Sequence, residues 1–219
     1  MIKLVASSVF AVVCAASASA VVVPFVETFE SSGAAWSSAA AFTPLAYSPA
    51  GGPDGSGFGS MSTPFTAFTP FAQPLLFRGQ SNFGSSGGAF VGDWIAANVT
   101  TFTFSVRHNA PEPLDFFARF APPAGPGVVG LTSPQVQPNT WTTLSVTINP
   151  RNPSLIYEGT TFAAFSTIAR TQVGILVPAS LAGNTSTFTF DLDNVQITPA
   201  PGSAMLLALG GLVAGRRRR

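Results

Sequence analysis

Residues 99–108 read VTTFTFSVRH, from Val99 to His108. In an extended chain Phe102, Phe104 and Val106 fall on one side, and Thr101, Thr103, Ser105 and Arg107 on the other. A side-chain period of two, bulky and apolar on one face and hydroxylic on the other, marks a strand that buries one face of an antiparallel sheet. The pattern recurs. In LDFFARF, Leu114, Phe116, Ala118 and Phe120 alternate with Asp115, Phe117 and Arg119. TTLSVTI (142–148), QVGILV (172–177) and STFTFDL (186–192) repeat it. Between these runs stand NAPEP, APPAGPG, NPRNP and LAGN, segments rich in turn-forming residues. Helical periodicity is nearly absent between residues 21 and 198. The sequence therefore predicts an all-β fold, an antiparallel β-sandwich of jelly-roll type, over residues 21–198. Residues 42–77 carry Pro44, Pro49, Pro53, Pro64, Pro70 and Pro74. Proline is excluded from central strands, so loops and edge strands are expected there.

Charge narrows the range of partners. Between Val21 and Thr198 there are five arginines, no lysine and all nine carboxylates of the chain, a net charge of −4. A nucleic-acid-binding face needs clustered Lys and Arg, so nucleic acid is not an expected partner. Few charges with many Phe, Thr, Ser and Gly suit an extracellular β domain kept soluble by hydroxyls. Sparse charge leaves edge strands little protection, so short strands and proline must supply it.

Both termini read as targeting segments. Lys3, the apolar run Leu4–Ala16 and the small residues Ala18 and Ala20 form a secretory signal, residues 1–20, with cleavage by signal peptidase expected after Ala20. Cys14, the single cysteine, lies inside it, so no disulfide is expected in the mature protein. At the other end, residues 199–219 begin with Pro199-Ala200-Pro201-Gly202. A short apolar run, Ser203–Gly215, follows, and then Arg216, Arg217, Arg218 and Arg219. Thirteen helical residues span about 20 Å, against about 30 Å of bilayer hydrocarbon. Such a segment with a basic stop is expected to hold the chain in the inner membrane only transiently, its arginines on the cytoplasmic side.

This tail resembles the PEP-CTERM sorting signal of Gram-negative bacteria, with PAPG in place of the usual Pro-Glu-Pro. The resemblance covers about the last 22 residues. It implies an exosortase-type membrane protease as partner and delivery to the cell surface or extracellular matrix. Three short words in the domain, FVETFESSGAAW, VGDW (Val91–Trp94) and FDLDNVQI, resemble secreted jelly rolls akin to laminin IV-type domains and carbohydrate-binding modules.

Catalytic signals are few. His108 is the only histidine and is expected as a solvated strand-end residue. With one histidine and no mature cysteine, a zinc site is not expected. No G-x-S-x-G elbow and no dinucleotide fingerprint is present, and the carboxylates single out no pair. No enzyme is expected. In PFVETFE, Glu27 shares a face with Phe25 and Phe29. In FTFDLDNVQI the apolar phase slips between Leu192 and Val195, as a β-bulge would make it, turning Asp193 toward the side of Val195. Glu27 and Asp193, with Asp191, are thus candidates for a structural Ca²⁺ site. An arginine partner or plain solvent exposure is the alternative. Glycan recognition relies on exposed aromatic platforms; Trp36, Trp94, Trp141, Tyr47 and Tyr157 are candidates, with Trp94 beside Asp93 first because Gly92 suggests a bend. The leading expectation is a non-enzymatic structural or adhesive surface protein. A carbohydrate-binding module for matrix polysaccharide comes second and a secreted hydrolase third.

Overall fold

The computed structural model describes residues 21–201. Twelve strands are present among them: β1 (Phe25–Glu27), β2 (Ser37–Ser38), β3 (Ala46–Ser48), β4 (Phe58–Pro64), β5 (Leu75–Gln80), β6 (Val99–His108), β7 (Asp115–Ala121), β8 (Val128–Leu131), β9 (Thr142–Thr147), β10 (Leu155–Tyr157), β11 (Arg170–Leu176) and β12 (Thr187–Pro199). They form two six-stranded antiparallel sheets. The first runs β3-β4-β12-β6-β9, with β1 also paired to β12; the second runs β10-β8-β7-β11-β5-β2. The fold is a β-sandwich, as the alternating runs predict.

The alternation seen in VTTFTFSVRH becomes the core. Phe102, Phe104 and Val106 of β6 are fully buried against Phe120, Val173 and Ile175 of the second sheet. Each such side chain contributes about 1.5–3 kcal/mol relative to an exposed one. Gly130 of β8 faces inward onto the first sheet: a Cβ there would lie 2.5 Å from Cγ1 of Val146. Three edge strands are blunted as expected, β2, β3 and β10 being two or three residues long, whereas the edge strand β9 has six.

Residues 42–77 hold more than loops and edges. β4 and β5 each lie one strand inside an edge, covered by the short β3 and β2. Their prolines sit in the connections or, for Pro64, at a strand end.

β12 has the most consequential shape. Thr187–Leu192 pair with β4, and Val195–Ile197 pair with β1 on the same side, while β6 runs along the other. The register against β6 shifts between Asp193 and Gln196, and Asn194 takes φ +48°. The slip in the sequence is thus a bulge, placed where β12 exchanges one neighbour for another. Its effect on the acids differs from expectation. Asp193 lies opposite Ser105, whose Oγ bonds the exposed Thr143 hydroxyl, so Asp193 stays on the outer face. The extra residue instead turns Val195 and Ile197 back to the core, where both are fully buried.

Candidate functional site

Residues directly opposite in antiparallel strands share a face. The outer face of the first sheet therefore carries a hydroxyl ladder: Ser62 with Thr189, Ser105 with Thr143, and Thr103 with Gln196 and Ser145. Across it runs one charged row, Ser60–Asp191–Arg107. Arg107 donates from Nε and Nη2 to Asp191 Oδ2, both at 2.8 Å, and Ser60 Oγ donates to Oδ1 at 2.8 Å.

Beside this row a cleft of about 290 Å³ is lined by Arg107, His108, Asn109, Asn139, Thr189 and Asp191. The half-buried Trp141 stands two residues beyond Asn139. The Arg107 guanidinium lies 4.7 Å over the Trp141 ring and 5.1 Å over Phe58. The Gly51 carbonyl accepts from Trp141 Nε1 (2.9 Å) and Arg107 Nη1 (3.3 Å), strapping the loop before β4 onto the sheet. Asn109 Oδ1 accepts from the Thr189 amide at 2.8 Å, which fixes the amide side chain at the rim. Amide, hydroxyl and guanidinium groups beside an indole make a surface for a polyhydroxylated ring. Asp191 is the single carboxylate of that lining and is tied to Arg107, so the cleft lacks the facing acid pair that glycoside hydrolysis uses.

Several expected site residues stand elsewhere. Trp94 is fully buried between Phe102, Phe120 and Phe165, its Nε1 donating to the Phe90 carbonyl at 2.9 Å. It is no stacking platform. Gly92 takes φ +131° and forms an isolated bridge with Ile168. The exposed Asp93 caps the next turn, accepting from the Ala96 amide at 2.8 Å. Trp36 is buried as well, and Tyr47 is tied by its hydroxyl to the Glu30 carbonyl. Of the candidate aromatics, Trp141 is the one beside the cleft.

His108 is also a correction. It is 1 % exposed, its Nε2 is 3.0 Å from the Val136 carbonyl oxygen, and burial lowers its pKa. The phase of β6 already placed it with Phe102, Phe104 and Val106.

Glu27, Asp191 and Asp193 do not converge. Glu27 lies opposite the inward Val195 and accepts from the Phe29 amide at 3.0 Å, whereas Asp191 and Asp193 sit on the outer face. Among the described residues no three His, Cys, Asp or Glu side chains form a group able to hold a metal ion. Asp191 instead has the arginine partner that was the alternative. Asp193 is fully buried and accepts from Ser56 Oγ (2.7 Å) and the Asn194 amide (2.7 Å). Burial raises its pKa to about 6, and the nearby Asp54 and Glu30 push the same way. The folded protein thus holds this proton to higher pH than the unfolded chain, so Asp193 loses stability as pH rises from about 4 through about 6. Asp193→Asn is expected to stabilise the protein by about 1–2 kcal/mol at neutral pH, after allowance for solvent screening, and by nothing near pH 4. Paired urea titrations of variant and wild type at the two pH values check this.

Of the sorting step, Pro199 ends β12 opposite Val99, and the Ala200 amide donates to the Asn98 carbonyl at 3.0 Å. Pro201 is the last described residue. Ala18, Ala20, Gly202 and Arg216–Arg219 lie outside the described residues. Among those described, no helix is long and apolar enough to cross a membrane.

No protein-family model matches the chain, and no curated protein does. Among solved structures it is similar to the family 11 carbohydrate-binding module of the Clostridium thermocellum cellulosomal cellulase Lic26A-Cel5E. Identity is 13 % and the TM-score 0.50, over 83 % of this chain and 97 % of the module. It is also similar to the CBM22-1–GH10 modules of Clostridium thermocellum endo-1,4-β-D-xylanase 10B (15 %, TM-score 0.48, 80 % of this chain and 28 % of that one). An exo-β-agarase matches at 10 % and a TM-score of 0.48, over 72 % of this chain and 23 % of the enzyme. The chain thus spans about a quarter of the two enzymes' lengths but nearly the whole family 11 module. The likeness is one of fold: two antiparallel sheets packed as a jelly roll, as in the family 11 module.

Proposed function

We propose that residues 21–201 form a non-catalytic carbohydrate-binding module whose cleft beside Trp141 takes a polysaccharide chain. The reading rests on that cleft, where an indole stands next to converging amide, hydroxyl and guanidinium groups on the outer face of a jelly-roll sheet. The fold shared with the family 11 module supports it, and the single arginine-tied carboxylate in the cleft favours binding over hydrolysis. The sequence signals add the setting: an exported protein, trimmed by signal peptidase and sorted through the inner membrane by its tail with an exosortase-type protease, that holds polysaccharide at the cell surface or in the matrix. A purely structural or adhesive role without a glycan, first in the sequence reading, becomes the rival.

Affinity gel electrophoresis against a panel of soluble polysaccharides, followed by calorimetry on those that retard migration, tests the module. Trp141→Ala is expected to weaken binding at least about tenfold, since loss of one aromatic contact is worth about 1.4 kcal/mol or more at a stacking site. A panel with no retarding polymer, or a Trp141→Ala protein that binds as wild type, overturns the proposal. The intact mass of protein recovered from membrane and medium fractions tests the sorting step separately.

A further inference from the structure

The outer face of the second sheet carries a different arrangement. Ser37 (β2), Arg78 (β5), Gln172 (β11) and Arg119 (β7) lie directly opposite one another in a single cross-strand row. Five buried side-chain polar atoms lack a hydrogen-bond partner among the described residues, and three are in this row: Ser37 Oγ, Arg78 Nε and Gln172 Nε2. Ser37 is 3 % exposed and Gln172 is 0 % exposed. All three atoms can donate, so the row is short of acceptors.

Among the half-buried arginines of the described residues, Arg78 stands apart. Arg107 has Asp191, Arg119 has Glu158, and Arg170 donates to the Pro122 and Gly125 carbonyls. Every Asp and Glu side chain lies among the described residues, and none pairs with Arg78. A half-buried guanidinium without a counter-ion is costly, and Arg119 and Arg170 on the same face raise the cost by repulsion. Part is offset by Phe42, whose ring lies 4.8 Å from the guanidinium carbon. Phe42 and Phe83 are 50 % and 41 % exposed and pack edge to face at 6.0 Å. Phe42 takes φ +53°, a strained conformation for a bulky residue, and strain of this kind is characteristic of functional positions.

Resting on the carbohydrate reading, we infer that this row is a second glycan site that binds the carboxylate or sulfate of an acidic sugar. Arg78 presents its fork to the oxyanion, as arginine does to planar acceptors. Gln172 and Ser37 supply donors beneath it, and Phe42 and Phe83 offer an apolar wall to the ring.

The test uses native affinity electrophoresis with polygalacturonate, a sulfated galactan and an unsulfated galactan. Retention is expected on one or both acidic polymers, and the one retained names the oxyanion. Arg78→Met is expected to lose about tenfold or more of that affinity. Arg151→Met, which removes an exposed arginine elsewhere, should lose little. Equal losses in both variants, or no loss in Arg78→Met, overturn the site. If the neutral polymer is held through Trp141 while Arg78→Met changes nothing, or if none of the three is held, this inference alone falls; the carbohydrate reading falls with it only when the wider panel retards nothing. Should Arg78→Met fail to fold, salt titration of the wild type decides. Affinity for the acidic polymer must drop steeply between about 50 and about 500 mM salt, and a flat response overturns the site.

Discussion

Trp94→Ala should lower folding stability by about 3–5 kcal/mol, the range for deleting a large aromatic from a packed core. The indole has no exposed surface, stands within 6.1 Å of three phenylalanine rings, and satisfies its one polar atom at the Phe90 carbonyl. Truncation leaves a cavity and orphans that carbonyl. Urea unfolding followed by far-ultraviolet circular dichroism measures the loss. Polysaccharide affinity of whatever folded protein remains should be unchanged. A stable Trp94→Ala protein with lost binding would contradict the buried position. The pair Trp94→Ala and Trp141→Ala therefore separates the tryptophan that holds the domain together from the one assigned to its ligand.

Gly130→Val should destabilise by about 3 kcal/mol, the upper part of the usual range for overpacking. An added Cβ would stand 2.5 Å from Val146 Cγ1 and 3.0 Å from its Cγ2, so β8 and β9 must move apart or Val146 must leave its rotamer. Val146→Ala in the same chain removes the obstacle and should return much of the loss. A double-mutant cycle gives the coupling. Independent, additive effects would show that the two sheets do not touch at this point.

These cases show what the sequence carried and what it did not. β6, β7, β9, β11 and β12 were legible because each alternates bulky apolar residues with Thr, Ser or charged ones. The bulge was legible because Val195 and Ile197 break the phase of Phe190 and Leu192. β4 and β5 were not: FGSMSTP and LLFRGQ lack a clean period, and both strands are built by pairing with partners distant in the chain. The fate of the tryptophans was hidden for a related reason. Alternation says which way a strand residue points, but Trp94 and Trp141 lie outside the strands, where long-range packing decides. His108 is the exception, since the phase of its own strand pointed inward. Within the site, Arg107 and Asp191 stood on strands already recognised, and only their register across β6 and β12 made them a pair. The row of Ser37, Arg78 and Gln172 had no signal at all, being drawn from three strands far apart in sequence.

The course of β12 bears on when this protein can fold. It is the last strand of the domain, yet it lies between β4 and β6 and is the sole partner of β1. Until residues 187–199 have been delivered, the first sheet is split: β3 and β4 are parted from β6 and β9, and β1 has no partner. A polypeptide made N-terminus first can therefore pair its second sheet early, while its first sheet closes only when the final strand arrives.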